Sequence, residues 1–324
     1  MRVLIAEPDD ARRSRAAERL KAVPGVNLMA ACADLSNAFD TIEHRPPHLV
    51  LYATEFTKMR EFEAMETLCR CLSVRWMTFT FGTSSLDRRH DDVDLSADPS
   101  TVQSALRALM RGRVSPQGGA KAGLFLSTSQ VQSNRIILIG SSTGGIDALL
   151  EVLGSFPADC PPTLIVQHTG AAFSAGLARL LDARVEPKVV EARDGEPLEP
   201  GVVMIAPGAD RHLVLDGQRA LRCRLTNGEK VSGHRPSVDA LFQSALSIAG
   251  RTTAVILTGM GKDGAQGMRA LKLAGAATIG QDKATSLVYG MPGAAAELSA
   301  LQQILPLSAI GPAILKSSHM EIRQ

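Results

Sequence analysis

The chain reads as an α/β protein made of two doubly wound units, and three observations predict it. Short apolar runs alternate with longer amphipathic ones over residues 2–113. A stretch rich in Gly, Ser and Gln then breaks the pattern, and a second alternating series starts at Arg135. Alternating β and α signals favour a parallel sheet with helices on both faces.

In the first unit, residues 3–6, 26–31, 49–52 and 77–81 are strand-like, and 11–23, 36–43 and 101–111 carry helical spacing. Residues 83–99 are polar and acidic and predict no element. The segment RGRVSPQGGAKAGLFLSTSQVQS at 111–133 loses all periodicity, which is the composition of a linker. Its one apolar patch is 124–126. The expected division is therefore a first domain over 1–112, a linker over 113–133 and a second domain over 134–324.

In the second unit, the compact apolar runs 136–139, 164–167, 202–205, 254–257 and 277–280 suit strands buried on both faces. Helical patterns at 146–156, 174–181, 238–249 and 265–274 lie between them. No internal repeat of solenoid period is present.

Composition narrows the function classes. The 324 residues are 45% hydrophobic and 21% charged, with a formal net charge of +2. That balance gives no large drive toward nucleic acid or an anionic membrane. The cysteines Cys32, Cys69, Cys71, Cys160 and Cys223 are odd in number and scattered, so they form neither a disulfide framework nor a zinc pair pattern. No apolar run approaches the ~18–20 residues of a membrane span. The N-terminus has no basic region ahead of its apolar stretch. A cytoplasmic protein without membrane insertion is expected.

The most informative segment is IILIGSSTGGIDALLEVL. A buried strand runs into Gly140-Ser141-Ser142-Thr143-Gly144, then Gly145, then a helix. This is G-x-S-x-G in a strand–turn–helix setting, which lifts Ser142 to the carboxyl edge of the sheet. The following helix aims N–H groups and its positive end at developing negative charge. A phosphate cradle and a purely structural turn are the competing readings of the turn alone. The spacing is not G-x-G-x-x-G, and no Walker lysine follows.

A serine nucleophile needs a base and a carboxylate to orient it. His168 ends the run 164–167, and Asp263 follows the run 254–257 within LTGMGKDGAQGM. Three strands thus deliver Ser, His and Asp to one sheet edge. The chain order Ser, His, Asp differs from the Ser, acid, His order of the ordinary α/β-hydrolases.

Residues 134–301 resemble the catalytic domain of the CheB family of chemotaxis receptor protein-glutamate methylesterases. The resemblance rests on six ordered blocks: the Gly140–Gly145 loop, Gln167-His168, Ile205-Ala206-Pro207-Gly208, His234-Arg235-Pro236-Ser237-Val238-Asp239, Leu257-Thr258-Gly259-Met260-Gly261-Lys262-Asp263-Gly264 and Gly290-Met291-Pro292. It implies that Ser142 is the nucleophile, His168 the general base and acid, and Asp263 the orienting carboxylate. It also implies oxyanion donors at the N–H groups of Thr143 and Met260. His234 and Arg235 would line a substrate groove or serve structure alone. The implied reaction is hydrolysis of glutamate methyl esters on methyl-accepting chemotaxis receptors, with deamidation of receptor glutamines, and needs no metal or cofactor. The alternatives are a non-catalytic regulatory or scaffold homologue and a nucleotide-binding α/β protein.

In that family the first domain is a receiver, a flavodoxin-like parallel sheet phosphorylated on an aspartate. Here RVLIAE aligns with its first strand, and Glu7 takes one acidic position, but Pro8 stands where a second acid belongs. Asp9 and Asp10 follow closely. The phosphoacceptor position holds Ala53, and Asp98 precedes Pro99 where the family places lysine. A pseudo-receiver follows, with aspartyl phosphorylation lost; the domain would inhibit the esterase constitutively, bind a partner among chemotaxis signalling proteins, or serve only to stabilise the linker.

Overall fold

The computed structural model describes residues 1–59, 62–82, 92–111, 135–169, 173–208 and 210–319. The chain divides into two compact units, residues 1–129 and 130–324. The linker expected at 113–133 lies outside the described residues, as does 83–91 of the polar stretch.

The first unit is a five-stranded parallel sheet. Its strands are β1 (Arg2–Ala6), β2 (Asn27–Cys32), β3 (Leu49–Ala53), β4 (Arg75–Thr80) and β5 (Asp92–Asp94), in the order β2-β1-β3-β4-β5. This is the flavodoxin-like order. Helices α1 (Asp10–Lys21), α2 (Leu35–His44), α3 (Phe62–Cys71) and α4 (Pro99–Arg111) complete it. Val3, Ile5, Leu20, Leu51, Phe79 and Leu106 share one buried cluster. Asp9 and Asp34 cap α1 and α2 by accepting the N–H groups of Arg12 and Asn37, which fixes where each helix starts. Asp98 does the same for α4, accepting from the N–H groups of Ser100 and Thr101. The structure adds α3 and β5 to the elements expected from sequence. It also moves the fourth strand two residues earlier, because Arg75 pairs in register with Leu49.

The second unit is a seven-stranded parallel sheet ordered β14-β13-β12-β6-β7-β9-β8. Its strands are β6 (Ile136–Ser141), β7 (Thr163–Gln167), β8 (Lys188–Glu191), β9 (Val202–Ile205), β12 (Thr252–Ile256), β13 (Ala277–Gln281) and β14 (Gln303–Leu305). Between β9 and β12 the antiparallel hairpin β10 (His212–Asp216) and β11 (Arg222–Thr226) stands apart from the main sheet. The helices are α5 (Gly145–Leu153), α6 (Ser174–Asp182), α7 (Val238–Ser244), α8 (Ala265–Leu273), α9 (Met291–Glu297) and α10 (Leu307–His319).

From β6 the chain lays down β7, then β8 at the sheet edge and β9 between β7 and β8, before returning to place β12 on the other flank of β6. The strand order therefore reverses between β6 and β12, and the crevice at the carboxyl ends of such strands is where ligands bind in open α/β sheets. β6, β7 and β12 are buried along their whole lengths, as their continuous apolar runs require. The helix expected at 238–249 is shorter: α7 ends at Ser244, and a 3₁₀ segment, Leu246–Arg251, follows with Ile248 outside helical geometry. Ser244 contributes to that break by turning its hydroxyl onto the carbonyl of Leu241 while accepting the N–H of Leu215 in the hairpin.

Candidate active site

Three strand ends meet at the reversal. Ser142 follows β6, His168 follows β7 and Asp263 lies in the loop between β12 and α8. His168 Nε2 lies 2.8 Å from Asp263 Oδ2, with both side chains almost wholly buried. The other ring nitrogen, Nδ1, is also buried and has no hydrogen-bond partner, so the Ser142 hydroxyl is not bonded to it. The ring thus presents Nε2 to the carboxylate and leaves Nδ1 for proton traffic.

Asp263 sits in a cradle whose members lie at the start of α7. Oδ2 also accepts the N–H of Val238 at 2.8 Å, and Oδ1 accepts the Ser237 hydroxyl at 2.7 Å and the Asp239 N–H at 3.0 Å. Burial pushes this carboxyl up. Hydrogen bonds from His168, Asp239 and Ser237 outweigh that cost and hold it below the ordinary carboxylate value. Asp239, itself buried, accepts the N–H of Gly267 and the hydroxyl of Ser232, which anchors the cradle to α8 and to the preceding loop.

The serine loop is fixed from two sides. Buried Gln167 accepts the Ser141 hydroxyl at 2.6 Å and donates to the Ser142 carbonyl at 2.9 Å. A Cβ on Gly145 would lie 2.1 Å from Gln167 Oε1, so only glycine leaves room for that bracket. On the other flank the Ser142 N–H donates to the Thr258 carbonyl, and Gln281 accepts the Thr258 N–H at 2.8 Å. A Cβ on Gly259 would meet Ser142 Cβ at 2.7 Å, which sets how closely the two loops approach. Gly144 adopts φ +79° at the start of α5, where a Cβ would also strike Leu287.

The remaining expected residues divide. The N–H groups of Thr143 and Met260 carry no hydrogen bond among the described residues. The Met260 side chain is 55% exposed. His234 stacks flat on His168, with ring centroids 3.8 Å apart. Arg235 is committed elsewhere, donating to the Gly228 carbonyl and pairing with Asp210 at 3.1 Å. Sequence reasoning quoted Gln167, Ser237, Val238 and Asp239 without giving them a task. The signal was present in two forms: a buried polar residue beside His168, and a Ser cap opening a helix.

Comparison with known proteins agrees with this geometry. A family model described as CheB methylesterase matches residues 137–314. Among similar proteins, one from Caulobacter vibrioides, named protein-glutamate methylesterase/protein-glutamine glutaminase 1, is 37% identical over 97% of both chains. One of the same activity name from Agrobacterium fabrum is 38% identical over 97% of this chain and 96% of its own. The crystal structure of the Thermotoga maritima CheB methylesterase catalytic domain superposes with a TM-score of 0.55 at 40% identity, covering 56% of this chain and 98% of that one. With nearly full-length relatives, a matching family model and six sequence blocks gathered at one sheet edge, the chain belongs to the CheB methylesterase family.

Proposed function

We propose that residues 134–324 form a serine hydrolase that removes methyl groups from glutamate methyl esters on methyl-accepting chemotaxis receptors and deamidates receptor glutamines. The observation that carries this reading is the buried His168–Asp263 pair at the same sheet edge as Ser142, with His168 Nδ1 unpartnered. The names of the relatives supply the substrate class.

In this mechanism Ser142 Oγ attacks the γ-carbonyl carbon while His168 Nδ1 takes its proton. Asp263, kept ionised by its cradle, steadies the imidazolium through Nε2. The N–H groups of Thr143 and Met260 hold the tetrahedral oxyanion. Collapse breaks the C–O bond to the methoxy group, which leaves as methanol with the proton from His168. Water then attacks the glutamyl-serine ester, giving its proton to Nδ1, and collapse returns that proton to Ser142 and frees the γ-carboxyl. For glutamine the leaving group is ammonia and the remaining steps are the same. His234 walls the base and lines the groove on that side, with Arg235 beyond it.

Residues 1–112 act as a pseudo-receiver joined through the linker 113–133, and engage chemotaxis signalling proteins without aspartyl phosphorylation. Ala53 ends β3, fully buried and without a side-chain oxygen, and Asp98 is used as the cap of α4. The setting is the cytoplasm, where receptor helices carry the ester. Among the described residues no helix is long and apolar enough to cross a membrane.

The test is methanol release from methylated receptor by the full-length protein beside Ser142→Ala. Release by the wild type that disappears in the variant is expected. Absence of release from both, or its persistence in the variant, overturns the reading.

A further inference from the structure

The receiver fold of the family implies a divalent cation held by acidic residues at the carboxyl ends of β1 and β3, and the residues present do not fit one. Of the two acids expected after β1, one is Pro8, and Ala53 offers no side-chain oxygen at the end of β3. The remaining acid, Glu7, is fully buried, and of its two oxygens only Oε1 is hydrogen-bonded, while Oε2 has the Arg12 guanidinium as its charged neighbour. Its Oε1 accepts the Asp9 N–H at 3.0 Å, and its Oε2 lies 3.3 Å from Arg12 Nε. Arg12 Nη1 in turn donates to Glu55 Oε1 at 2.9 Å. Glu55 stands two residues beyond Ala53, so the guanidinium spans from the end of β1 to the loop after β3. The nearby acids are used too: Asp9 caps α1 and Asp10 pairs with Arg13. Among the described residues no group of three or more His, Cys, Asp or Glu side chains converges as metal ligands.

We propose that the Arg12 guanidinium is the resident cation of the N-terminal unit, occupying the ground a divalent metal would need and neutralising Glu7 and Glu55 in its place. Two features of the chemistry support this. Mg²⁺ demands several oxygen ligands at about 2.0–2.1 Å in near-octahedral order, and the two carboxylates here face a fixed positive group instead. A second cation brought to the same carboxylates would meet the repulsion of a guanidinium a few ångströms away. The unit therefore carries its counter-ion in its own sequence, and its state does not follow the concentration of free divalent metal.

The experiment titrates the full-length protein with Mn²⁺ alone, following the free-ion electron paramagnetic resonance signal. Glu7→Gln, Arg12→Gln and Arg12→Gln/Glu7→Gln are measured alongside. The wild type is expected to leave the signal unchanged into the millimolar range. Arg12→Gln is expected to take up one ion at least about tenfold more tightly, since a fixed like charge is gone. Adding Glu7→Gln should abolish that uptake. Stoichiometric uptake by the wild type that is lost in Glu7→Gln would overturn the proposal, as would a folded Arg12→Gln protein that binds no better than wild type. Should Arg12→Gln fail to fold, thermal unfolding of the wild type in Mg²⁺ and in EDTA decides. Coincident curves support the resident arginine, and a Mg²⁺-dependent rise refutes it.

Discussion

At Asp263 four donors converge on one carboxylate, and two of them are backbone N–H groups that would otherwise be orphaned at the start of α7. One side chain thus orients the His168 ring and completes a helix terminus. Because its folded pKa is depressed, the sign of the pH effect follows. The stabilisation is complete above the ordinary aspartate value of about 3.9 and is lost as pH falls through the lower folded value. Urea unfolding of the wild type, followed at a series of pH values, should lose stability on that acid limb. Asp263→Asn should lack that component and be about 1–3 kcal/mol less stable at neutral pH, because an amide cannot satisfy the same set of donors. Parallel pH curves for the two proteins would contradict the assignment. Ser142, His168 and Asp263 were legible because each is the polar residue that ends, or closely follows, a continuous apolar run. The Ser237–Asp239 cradle was not, since its link to Asp263 spans about 25 residues and exists only after α7 packs against α8. The free ring nitrogen was likewise beyond sequence, because both nitrogens belong to one residue type.

Glycines let the elements that carry the site approach one another closely. A methyl group on Gly259 would collide with Ser142 Cβ at 2.7 Å and with Met291 Sδ at 2.4 Å. Gly259→Ala should therefore displace the serine loop from the Met260 N–H. A fall in kcat of about 10²-fold or more is expected, the scale of losing one oxyanion donor. KM should change much less, because the groove around His234 lies on another loop. Steady-state methanol release separates the two constants, and an unaltered kcat would show that the loop can yield without cost. Most strands were readable as elements because burial on both faces leaves an unbroken apolar signature. The missed strands β5, β10, β11 and β14 share one physical origin. β5 is the three residues Asp-Val-Asp, β14 is three residues at a sheet edge, and the β10–β11 hairpin mixes charge with apolar residues because it stands outside the main sheet. Short or edge strands take their stability from neighbours rather than from their own pattern.

At the level of the whole molecule, one chain joins a unit in which Ser142, His168 and Asp263 share a sheet edge to a unit whose Glu7 and Glu55 both face Arg12 and whose β3 ends in Ala53. Acetyl phosphate with Mg²⁺ is therefore expected to leave the rate of methanol release by the full-length protein unchanged and to produce no base-labile phosphoprotein. A several-fold stimulation would place a phosphoacceptor somewhere other than Ala53. The parallel arrangement of the second sheet has a practical consequence of its own. Ser142, His168 and Asp263 all lie beyond the carboxyl ends of their strands, so the turns entering β12 and β13 lie at the opposite end. Gly250 and Gly275 sit in those turns, and a Cβ at either would meet nothing within 4 Å. A fluorophore attached through Gly250→Cys, where no left-handed backbone is required, would report on receptor capture while standing clear of the groove.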